Sequence, residues 1–465
     1  MYGMGLAASA IVLMLAIGLF GSAVADARGL KTGFIDNSLF TSPDASVRNT
    51  WLGRAAEDGA DIIRINVSWK EIATSQPASP TDPADPAYDF SSLDRAIESA
   101  NARGLSVLLT VLKAPPFAEG NNRPHGVRPG AWKPDPHAYG QFAQALAARY
   151  SGSFMGLPQV KYFEAWNEPN VTLYLAPQWS GRRMFAPDRY RQLLNAFYSG
   201  IKAAQPGATV IGGAVSPFGD PRTDPLDPRN PRIRPLAFLR DVFCLDRKLK
   251  GTSCPSKPHL DVLSQHPINF TNPPSYSAVS PDDVEVADFH NVRRVLRAAE
   301  RTHHVLPGGS HGLWATEFWW FTRPPVRSGI PVNKQARWVE QSMYMLWKQG
   351  ASAIVNFNIQ DPAGPFPPGS PSGVFFHDGR KKPSYTSYRF PFVTHRRSKD
   401  RVGVWGMAPE SGTLKVQARA KKGWRTLDTL PAHEGSIFKP TIRLRGKASL
   451  RGAIGATHSL VWQQR

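Results

Sequence analysis

Short apolar runs recur between residues 30 and 395, and longer amphipathic stretches separate most of them. Runs rich in β-branched and aromatic side chains are typical of buried strands, whereas apolar residues at every third or fourth position indicate helices. Eight runs predict strands, at residues 32–34, 62–67, 107–112, 160–166, 209–214, 260–266, 313–318 and 353–358.

Helical patterns follow most of these strands, at residues 46–58, 93–102, 136–150, 189–204, 290–303, 335–348 and 385–393. After the fifth strand the chain enters a proline-rich stretch, residues 216–234, which we interpret as a loop. Alternation of strands and helices over this length predicts an α/β fold, a (β/α)8 TIM barrel spanning residues 28–395. The carboxyl ends of its strands then form the face that carries function.

The pattern changes after residue 398, where short alternating runs are separated by Gly and Pro turns about ten residues apart. This spacing is typical of β-sandwiches, so residues 398–465 are predicted to form a small all-β sandwich domain. Their Gly-Trp-Arg-Thr string, residues 423–426, resembles small immunoglobulin-like modules appended to secreted bacterial proteins.

An uninterrupted apolar run occupies residues 6–20, and small residues stand at Ala23 and Ala25. We interpret residues 1–25 as a signal peptide cleaved after Ala25, which predicts a secreted, extracellular protein. No Lys or Arg precedes the run, so an uncleaved N-terminal membrane anchor is the alternative.

The chain of 465 residues carries a formal net charge of +20. Residues 396–465 contribute 15 basic and 4 acidic residues, which is more than half of that excess. We expect the basic residues of the C-terminal domain to share one solvent face, namely Lys421, Lys422, Arg425, Arg443, Arg445 and Arg451. Such a face either attracts an anionic polymer of the cell envelope or only keeps the domain solvated.

The chain has two cysteines, Cys244 and Cys254, in a loop-like stretch. In an exported protein they could close a disulfide, and two buried free thiols are the alternative. No Cys/His spacing indicates a metal site.

Candidate chemistry lies where the fourth and seventh predicted strands end. The fourth continues into Trp166-Asn167-Glu168-Pro169, and Pro169 cannot extend a strand ladder because it lacks an N–H. The seventh ends at Glu317, followed by aromatic residues. Paired carboxyl groups on one barrel face are suited to acid–base work, and a neighbouring amide and indole could orient a sugar.

Two further residues stand out on the second strand. Arg64 is a charge inside the apolar run of residues 62–67, so a buried Arg64 needs carboxylate partners. Trp69 follows at the top of the same strand and could form the wall of a binding subsite.

A further carboxylate, Glu164, lies in the fourth predicted strand. It lies deeper than Glu168, and we interpret it as a structural carboxylate and a partner for Arg64.

Residues 30–395, with these motifs, resemble the clan A glycoside hydrolases, nearest to the family 39 and family 5 types. In that clan, the glutamate of the Asn-Glu-Pro motif is the general acid/base and a glutamate closing the seventh strand is the nucleophile. The resemblance assigns these roles to Glu168 and Glu317. It also implies that Arg64 braces the nucleophile and that Asn167 hydrogen-bonds the sugar 2-hydroxyl.

The sixth and eighth strands depart from the clan pattern. His266 retains the substrate-binding histidine, but Ile268 and Asn269 follow where relatives often have a tyrosine. Asn356 stands where relatives often carry a tryptophan as a floor for the sugar. Trp319, after the nucleophile, is a candidate replacement for that floor.

The resemblance implies a retaining O-glycosyl hydrolase, acting by double displacement on a poly- or oligosaccharide, β-linked in our interpretation. We expect no cofactor, no metal, no nucleic acid partner and a monomer. The alternative is a catalytically inactive barrel that binds polysaccharide as a scaffold at the cell envelope.

Overall fold

The computed structural model describes residues 29–220, 230–366 and 370–465. Eight parallel strands form a closed barrel in chain order, and the eighth pairs with the first. They are β1 (Lys31–Ile35), β2 (Ile62–Ser68), β3 (Ser106–Leu112), β4 (Tyr162–Ala165), β5 (Thr209–Val215), β6 (Val262–Gln265), β7 (Gly312–Phe318) and β8 (Ala353–Phe357). This confirms the predicted barrel.

One main helix follows each strand: α1 (Ala45–Glu57), α2 (Ser91–Asn101), α3 (Pro136–Arg149), α4 (Ala186–Ala204), α5 (Pro235–Val242), α6 (Phe289–Arg301), α7 (Val332–Lys348) and α8 (Pro383–Arg389). The sequence pattern missed α5, because only eight residues follow a proline-rich stretch. Single helical turns occur at Asn37–Phe40, Trp69–Ile72, Pro116–Ala118, Val286–Asp288 and Ser370–Ser372. Short strand pairs form at Trp179–Ser180 with Arg183–Met184, and at Thr322–Arg323 with Ile330–Pro331.

Local chemistry sets where the helices begin. The Asp44 side chain accepts a hydrogen bond from the Ser46 N–H at the start of α1. Asp135 does the same for the His137 N–H at the start of α3. Aspartate is favoured at this position because it satisfies an N–H that lacks a helical partner. Prolines 136, 235 and 383 are the first residues of their helices, where a proline loses no helical hydrogen bond.

The interior of the barrel changes from apolar to charged along its axis. Its lower layer consists of apolar side chains, Ile62, Leu108, Tyr162, Ile211, Val262, Trp314 and Ala353. Two residues further along the strands, the layer is polar and contains Arg64, Thr110, Glu164 and Ser264, each fully buried. A buried charged layer needs internal partners, so its contacts constrain the strand ends above it.

Two bulges interrupt the regular strand pairing. In β7, Ala315 pairs with Ile354 and Phe318 pairs with Asn356, so Thr316 and Glu317 together oppose Val355. In β5, two residues likewise oppose one of β6, between the pairs Gly212–Leu263 and Val215–Gln265. A bulge changes which way the following side chains point, and bulges often occur beside active sites.

Nine further strands form the C-terminal domain: β9 (Phe392–Arg396), β10 (Arg401–Met407), β11 (Gly412–Arg419), β12 (Trp424–Ala432), β13 (Ile437–Phe438), β14 (Thr441–Arg443), β15 (Ala448–Ile454), β16 (Thr457–His458) and β17 (Trp462–Gln464). β9, β10, β13 and β14 form one antiparallel sheet, which we call the inner sheet. β11, β12, β15, β16 and β17 form the second, which we call the outer sheet. The two sheets share one apolar core, as predicted for a sandwich.

The inner sheet begins at Phe392, before the predicted start at residue 398, and its back packs against α7. The Trp405 ring lies 5.5 Å from the Tyr344 ring and 5.7 Å from the Trp347 ring, centroid to centroid. The Arg337 guanidinium donates to the carbonyl of Val461. The sandwich is therefore joined to the barrel by packed aromatic side chains, not only by the chain itself.

The predicted single basic face is wrong. Arg443 lies on β14 of the inner sheet, whereas Arg425 and Arg451 lie on β12 and β15 of the outer sheet. Sequence alternation identifies solvent-facing positions within each strand, but the solvent faces of two stacked sheets point in opposite directions.

Cys244 and Cys254 form a disulfide in the loop after α5. The proposed signal peptide, residues 1–25, lies outside the described residues. In the described segments, no helix combines the length and apolar character that crossing a membrane requires.

Candidate active site

Glu168 is held by an unusual backbone conformation after β4. Trp166 and Glu168 have positive φ angles of 67° and 42°, in the left-handed region that residues with a side chain rarely adopt. The Glu168 N–H donates to the carbonyl of Ala214 in the β5 bulge, at 2.8 Å. Asn170 then ties the loop to the next strand by accepting from the Ser216 N–H at 2.9 Å. The strained turn is therefore fixed from β5.

Glu317 reaches the barrel mouth through the bulge in β7. Because Thr316 and Glu317 share one partner position, Glu317 turns towards the axis although its neighbour Thr316 is also buried. The Trp319 side chain, two residues further on, opposes the rise in the pKa of Glu317 that burial causes.

Glu168 and Glu317 face each other across the mouth. One oxygen of each carboxyl group lies within 4.8 Å of the other. Their side chains are only 16% and 13% exposed, so each is partly desolvated but open to the cleft.

Arg64 joins the second, third, fourth and seventh strands. Its Nε donates to Thr110 Oγ1 at 2.9 Å and to Glu164 Oε2 at 3.0 Å. Its Nη2 donates to Asn167 Oδ1 at 2.8 Å, and its Nη1 donates to Glu317 Oε2 at 3.2 Å. The carboxylate partners expected of a buried Arg64 are thus Glu164 and Glu317.

Glu164 lies deeper in the barrel than Glu168 and Glu317, and it has no access to solvent. Thr110 Oγ1 and Ser264 Oγ each donate to its carboxylate at 2.7 Å. Burial would raise the pKa of Glu164, but Arg64, His266 and the two hydroxyl groups outweigh it and hold the pKa below its ordinary value. Glu164 is therefore an ionised structural carboxylate, as its position along the strand predicted.

His266 lies between the two facing glutamates. Its Nδ1 is 3.1 Å from Glu168 Oε1 and 3.8 Å from Glu317 Oε2. The ring is fully buried, and its Nε2 has no hydrogen-bond partner. The structure therefore places His266 against the carboxyl pair.

The charges around the pair act in opposite directions. Burial raises the pKa of Glu317, and the charge of Glu168 raises it further. His266 and Arg64 oppose the rise, but the pKa stays above its ordinary value. Burial also raises the pKa of Tyr174, and the charges of Glu168 and Glu317 raise it further. Tyr174 is thus a neighbour of the pair that the sequence did not reveal, since it lies in an irregular loop after β4.

Three predicted substrate contacts lie elsewhere. Trp69 is 1% exposed and packs on Phe142 with ring centroids 5.5 Å apart, so it cannot form a subsite wall. Trp166 is fully buried, and its indole N–H donates to the Tyr174 carbonyl at 3.0 Å. Asn356 is 1% exposed and its amide donates to the Asn358 carbonyl at 3.0 Å. All three are structural residues.

Trp319 belongs to an aromatic cluster beside Glu317. Its ring lies 4.8 Å from Phe270, 4.8 Å from Phe321 and 6.2 Å from Phe357, centroid to centroid. Phe218 stacks on Phe270 at 5.6 Å. Trp319 itself is 5% exposed, while these phenylalanines are partly exposed. The loops after β5, β6 and β7 and the end of β8 thus give one side of the mouth an aromatic lining.

Glu168, His266 and Glu317 are also the one group of three potential metal ligands found in the described parts of the chain. Their ligand atoms lie within 4.8 Å of one another. The Arg64 guanidinium, 3.2 Å from Glu317, supplies a positive charge to the same carboxylate and so competes with a cation.

No protein-family model and no curated protein sequence matches this chain. In structure it is similar to a family 39 glycoside hydrolase from Bacteroides cellulosilyticus WH2, with a TM-score of 0.55, 15% identity, and 90% of this chain and 81% of that chain covered. A GH39 enzyme from Xanthomonas axonopodis pv. citri gives a TM-score of 0.51, 15% identity and coverages of 90% and 92%. A monomeric beta-xylosidase from Caulobacter crescentus CB15 gives a TM-score of 0.51 and 15% identity, with 90% of this chain and 94% of that chain covered. At these identities the similarity shows a shared fold.

Proposed function

We propose that this protein is a secreted retaining glycoside hydrolase in which Glu317 is the nucleophile and Glu168 the general acid/base. The observation that carries the proposal is the facing pair, whose closest oxygens lie within 4.8 Å. Retaining glycosidases hold their two carboxyl groups about 5–5.5 Å apart, whereas inverting ones leave about 6.5–9.5 Å for a water molecule.

In the first step, Glu317 attacks the anomeric carbon while Glu168 donates its proton to the departing glycosidic oxygen. A glycosyl ester forms on Glu317 and the aglycone leaves as an alcohol. Arg64 contacts Glu317 and not Glu168, and its positive charge opposes the rise in the pKa of Glu317 that burial causes. The mechanism requires that Glu317 is ionised and Glu168 protonated when the substrate binds.

In the second step, Glu168 is the base. It takes a proton from a water molecule, whose oxygen attacks the anomeric carbon and displaces Glu317 as a carboxylate. The sugar is released with its original anomeric configuration, and both glutamates return to their starting states. No other reactant is consumed.

Neighbouring side chains support these roles. Asn167 Oδ1 accepts from Arg64, which fixes the amide and leaves its NH₂ group as a donor for the sugar 2-hydroxyl. His266, 3.1 Å from Glu168, orients that carboxyl group. The aromatic cluster around Trp319 offers apolar surface for a sugar ring where the eighth strand carries Asn356 instead of an aromatic residue.

We extend the proposal to β-linked carbohydrate as the substrate, because one structural neighbour is a beta-xylosidase. Secretion is proposed from the apolar run and small residues within positions 1–25.

The test is hydrolysis of a panel of aryl β-glycosides, with the product anomer read by NMR. We expect β-products first. Glu317→Ala should reduce hydrolysis to background, and a 2-fluoro glycoside should label Glu317 as detected by peptide mass spectrometry. Glu168→Ala should lower kcat/KM by about 10²–10⁴-fold for poor leaving groups, with azide restoring turnover of activated substrates.

Glu57→Ala is the control, because Glu57 is exposed at the far end of α1, away from the mouth. Inverted products would exclude the nucleophile role of Glu317. Binding of glycans with no hydrolysis by the wild type would instead support the polysaccharide-binding barrel.

A further inference from the structure

The outer sheet has a solvent face that the catalytic proposal does not use. Along β11, Leu414, Val416 and Ala418 point into the sandwich core, so Lys415, Gln417 and Arg419 point to solvent. The inner sheet separates this face from the barrel, since Trp405 of the inner sheet packs on α7. We call the solvent-facing positions of β11, β12 and β15 the outer face.

An arginine–tryptophan cluster lies on the outer face. The Arg451 guanidinium is 4.2 Å from the centroid of the Trp424 ring, and the Arg419 guanidinium is 5.3 Å from it. Arg451 Nε also donates to Gln417 Oε1, directly across the strand pair, at 2.9 Å. The ring and the amide hold Arg451 in one orientation, which reduces the entropy that a ligand must remove on binding.

Three cations of the outer face are not neutralised by a neighbouring carboxylate. Among the described residues, no salt bridge joins Lys415, Arg419 or Arg451 to an acidic side chain. Burial and the charge of Arg419 both lower the pKa of Arg451. Bringing two guanidinium groups to one ring without an anion costs free energy, so a bound anion would relieve it.

A cavity of about 410 Å³ continues from this cluster over the solvent face of the paired strands β11 and β15. Lys415, Gln417, Arg451 and His458 line it, and Glu410 is the carboxylate that lines it too. Lys415 and Arg419 are four residues apart in β11, which is about 13 Å along a strand. A small anion would reach one end only, so the row of cations matches a linear polymer with repeated charges.

From this cluster we infer that the outer face binds a carboxylated polysaccharide. Guanidinium groups accept planar carboxylates through paired hydrogen bonds, which suits uronate units. The choice of polysaccharide over other polyanions rests on the proposed function of the barrel in the same chain. The face would hold a polymer while the barrel mouth acts on carbohydrate.

Affinity electrophoresis in gels containing polygalacturonate tests this, with a neutral glucan gel as reference. The triple variant Lys415→Gln, Arg419→Gln, Arg451→Gln should weaken binding at least tenfold. The matched control removes the same charge from the inner sheet and the loop after it, with Arg401→Gln, Arg443→Gln and Arg445→Gln, and should bind like the wild type. Thermal melting checks that both variants fold.

Equal weakening in both triple variants would reduce the effect to net charge and overturn the inference. So would unchanged binding in the first variant, or tighter binding of the wild type to duplex DNA or to vesicles containing anionic lipid. The same proteins are assayed on an aryl β-glycoside, where both triple variants should match the wild type. A Glu317→Ala protein that still binds polygalacturonate separates a failure of the catalytic proposal from a failure of this one.

Discussion

At the scale of single residues, Arg64 determines the charge balance of the candidate site. One guanidinium faces three carboxyl groups, of which Glu164 and Glu317 touch it directly. Arg64 and Glu164 have no solvent exposure. A buried ion pair contributes modestly as a pair, but removing one partner leaves the other charged and unsolvated.

We therefore predict that Arg64→Met lowers the free energy of unfolding by about 3–5 kcal/mol, measured by urea denaturation. Glu164 would then lack its cation, and Glu317 would lose its brace, so hydrolysis should also fall. The double variant Arg64→Met, Glu164→Gln should recover part of the lost stability but not the activity. A single variant as stable as the wild type would contradict this account.

The sequence identified the charged residues of the site better than its aromatic ones. Arg64 is conspicuous because an arginine inside an apolar strand needs carboxylate partners. Glu164 is conspicuous because its position along the strand places it deeper than Glu168. Their places at strand ends predict that Trp69 and Trp166 line the cleft, yet both are buried. Position along a chain does not reveal whether an indole turns to the cleft or to the surrounding helices.

At the scale of elements, the two bulges set the geometry of the facing glutamates, Glu168 and Glu317. The β5 bulge presents the Ala214 carbonyl to the Glu168 N–H, and the β7 bulge turns Glu317 inward. Gly213 allows the first of these, with φ of 113° and a position where a Cβ would lie 2.2 Å from the Ser264 carbonyl oxygen. The Gly212-Gly213 pair inside a strand was the available sequence signal.

We predict that Gly213→Ala destabilises the protein by more than the roughly 1–3 kcal/mol that a strained backbone angle costs, because the methyl group also clashes. Activity should fall in parallel, since Glu168 loses its backbone anchor.

Gly207→Ala is the matched control for this substitution, because Gly207 has open space around it and no positive φ. Urea denaturation of the two variants should separate them clearly. Equal stability would mean that the bulge tolerates a side chain.

The strands themselves were predictable, because apolar runs rich in β-branched and aromatic residues coincide with most of them. The β7 bulge was not, since a strand with one extra residue has the same composition as a regular one. The helix α5 was missed for a related reason: Pro235 begins it, but the prolines before it indicate a loop.

At the scale of the whole molecule, the barrel and the sandwich meet around Glu340. This α7 carboxylate is fully buried, 2.6 Å from Arg337, and accepts from the Phe392 N–H at the start of the sandwich. Burial raises its pKa from 4.5 to about 8, although Arg337 and the Phe392 N–H oppose the shift.

Stability should therefore depend on pH through Glu340. The folded protein keeps its proton between pH 4.5 and about 8 while the unfolded chain has lost it. Folding then takes up a proton, so this group makes the wild type less stable by about 1.4 kcal/mol per pH unit as pH rises through that window.

Glu340→Gln removes this contribution. We predict that the stability of the variant relative to the wild type improves steadily from pH 5 to pH 8 and then levels off, as measured by urea denaturation at each pH. Parallel stability curves for the two proteins across the window would show that Glu340 does not titrate there.

Closure of the barrel between β1 and β8 also delays the completion of the sheet during synthesis of the chain. Lys31 pairs with Ala353, about 320 residues later, and ribosomes add about 5–20 residues per second, so roughly 15–60 s separate the synthesis of the two partners. Throughout that interval β1 has an open hydrogen-bonding edge, which can pair with other chains. Yield in a cell-based preparation should thus depend on how well the nascent chain is kept apart from its copies.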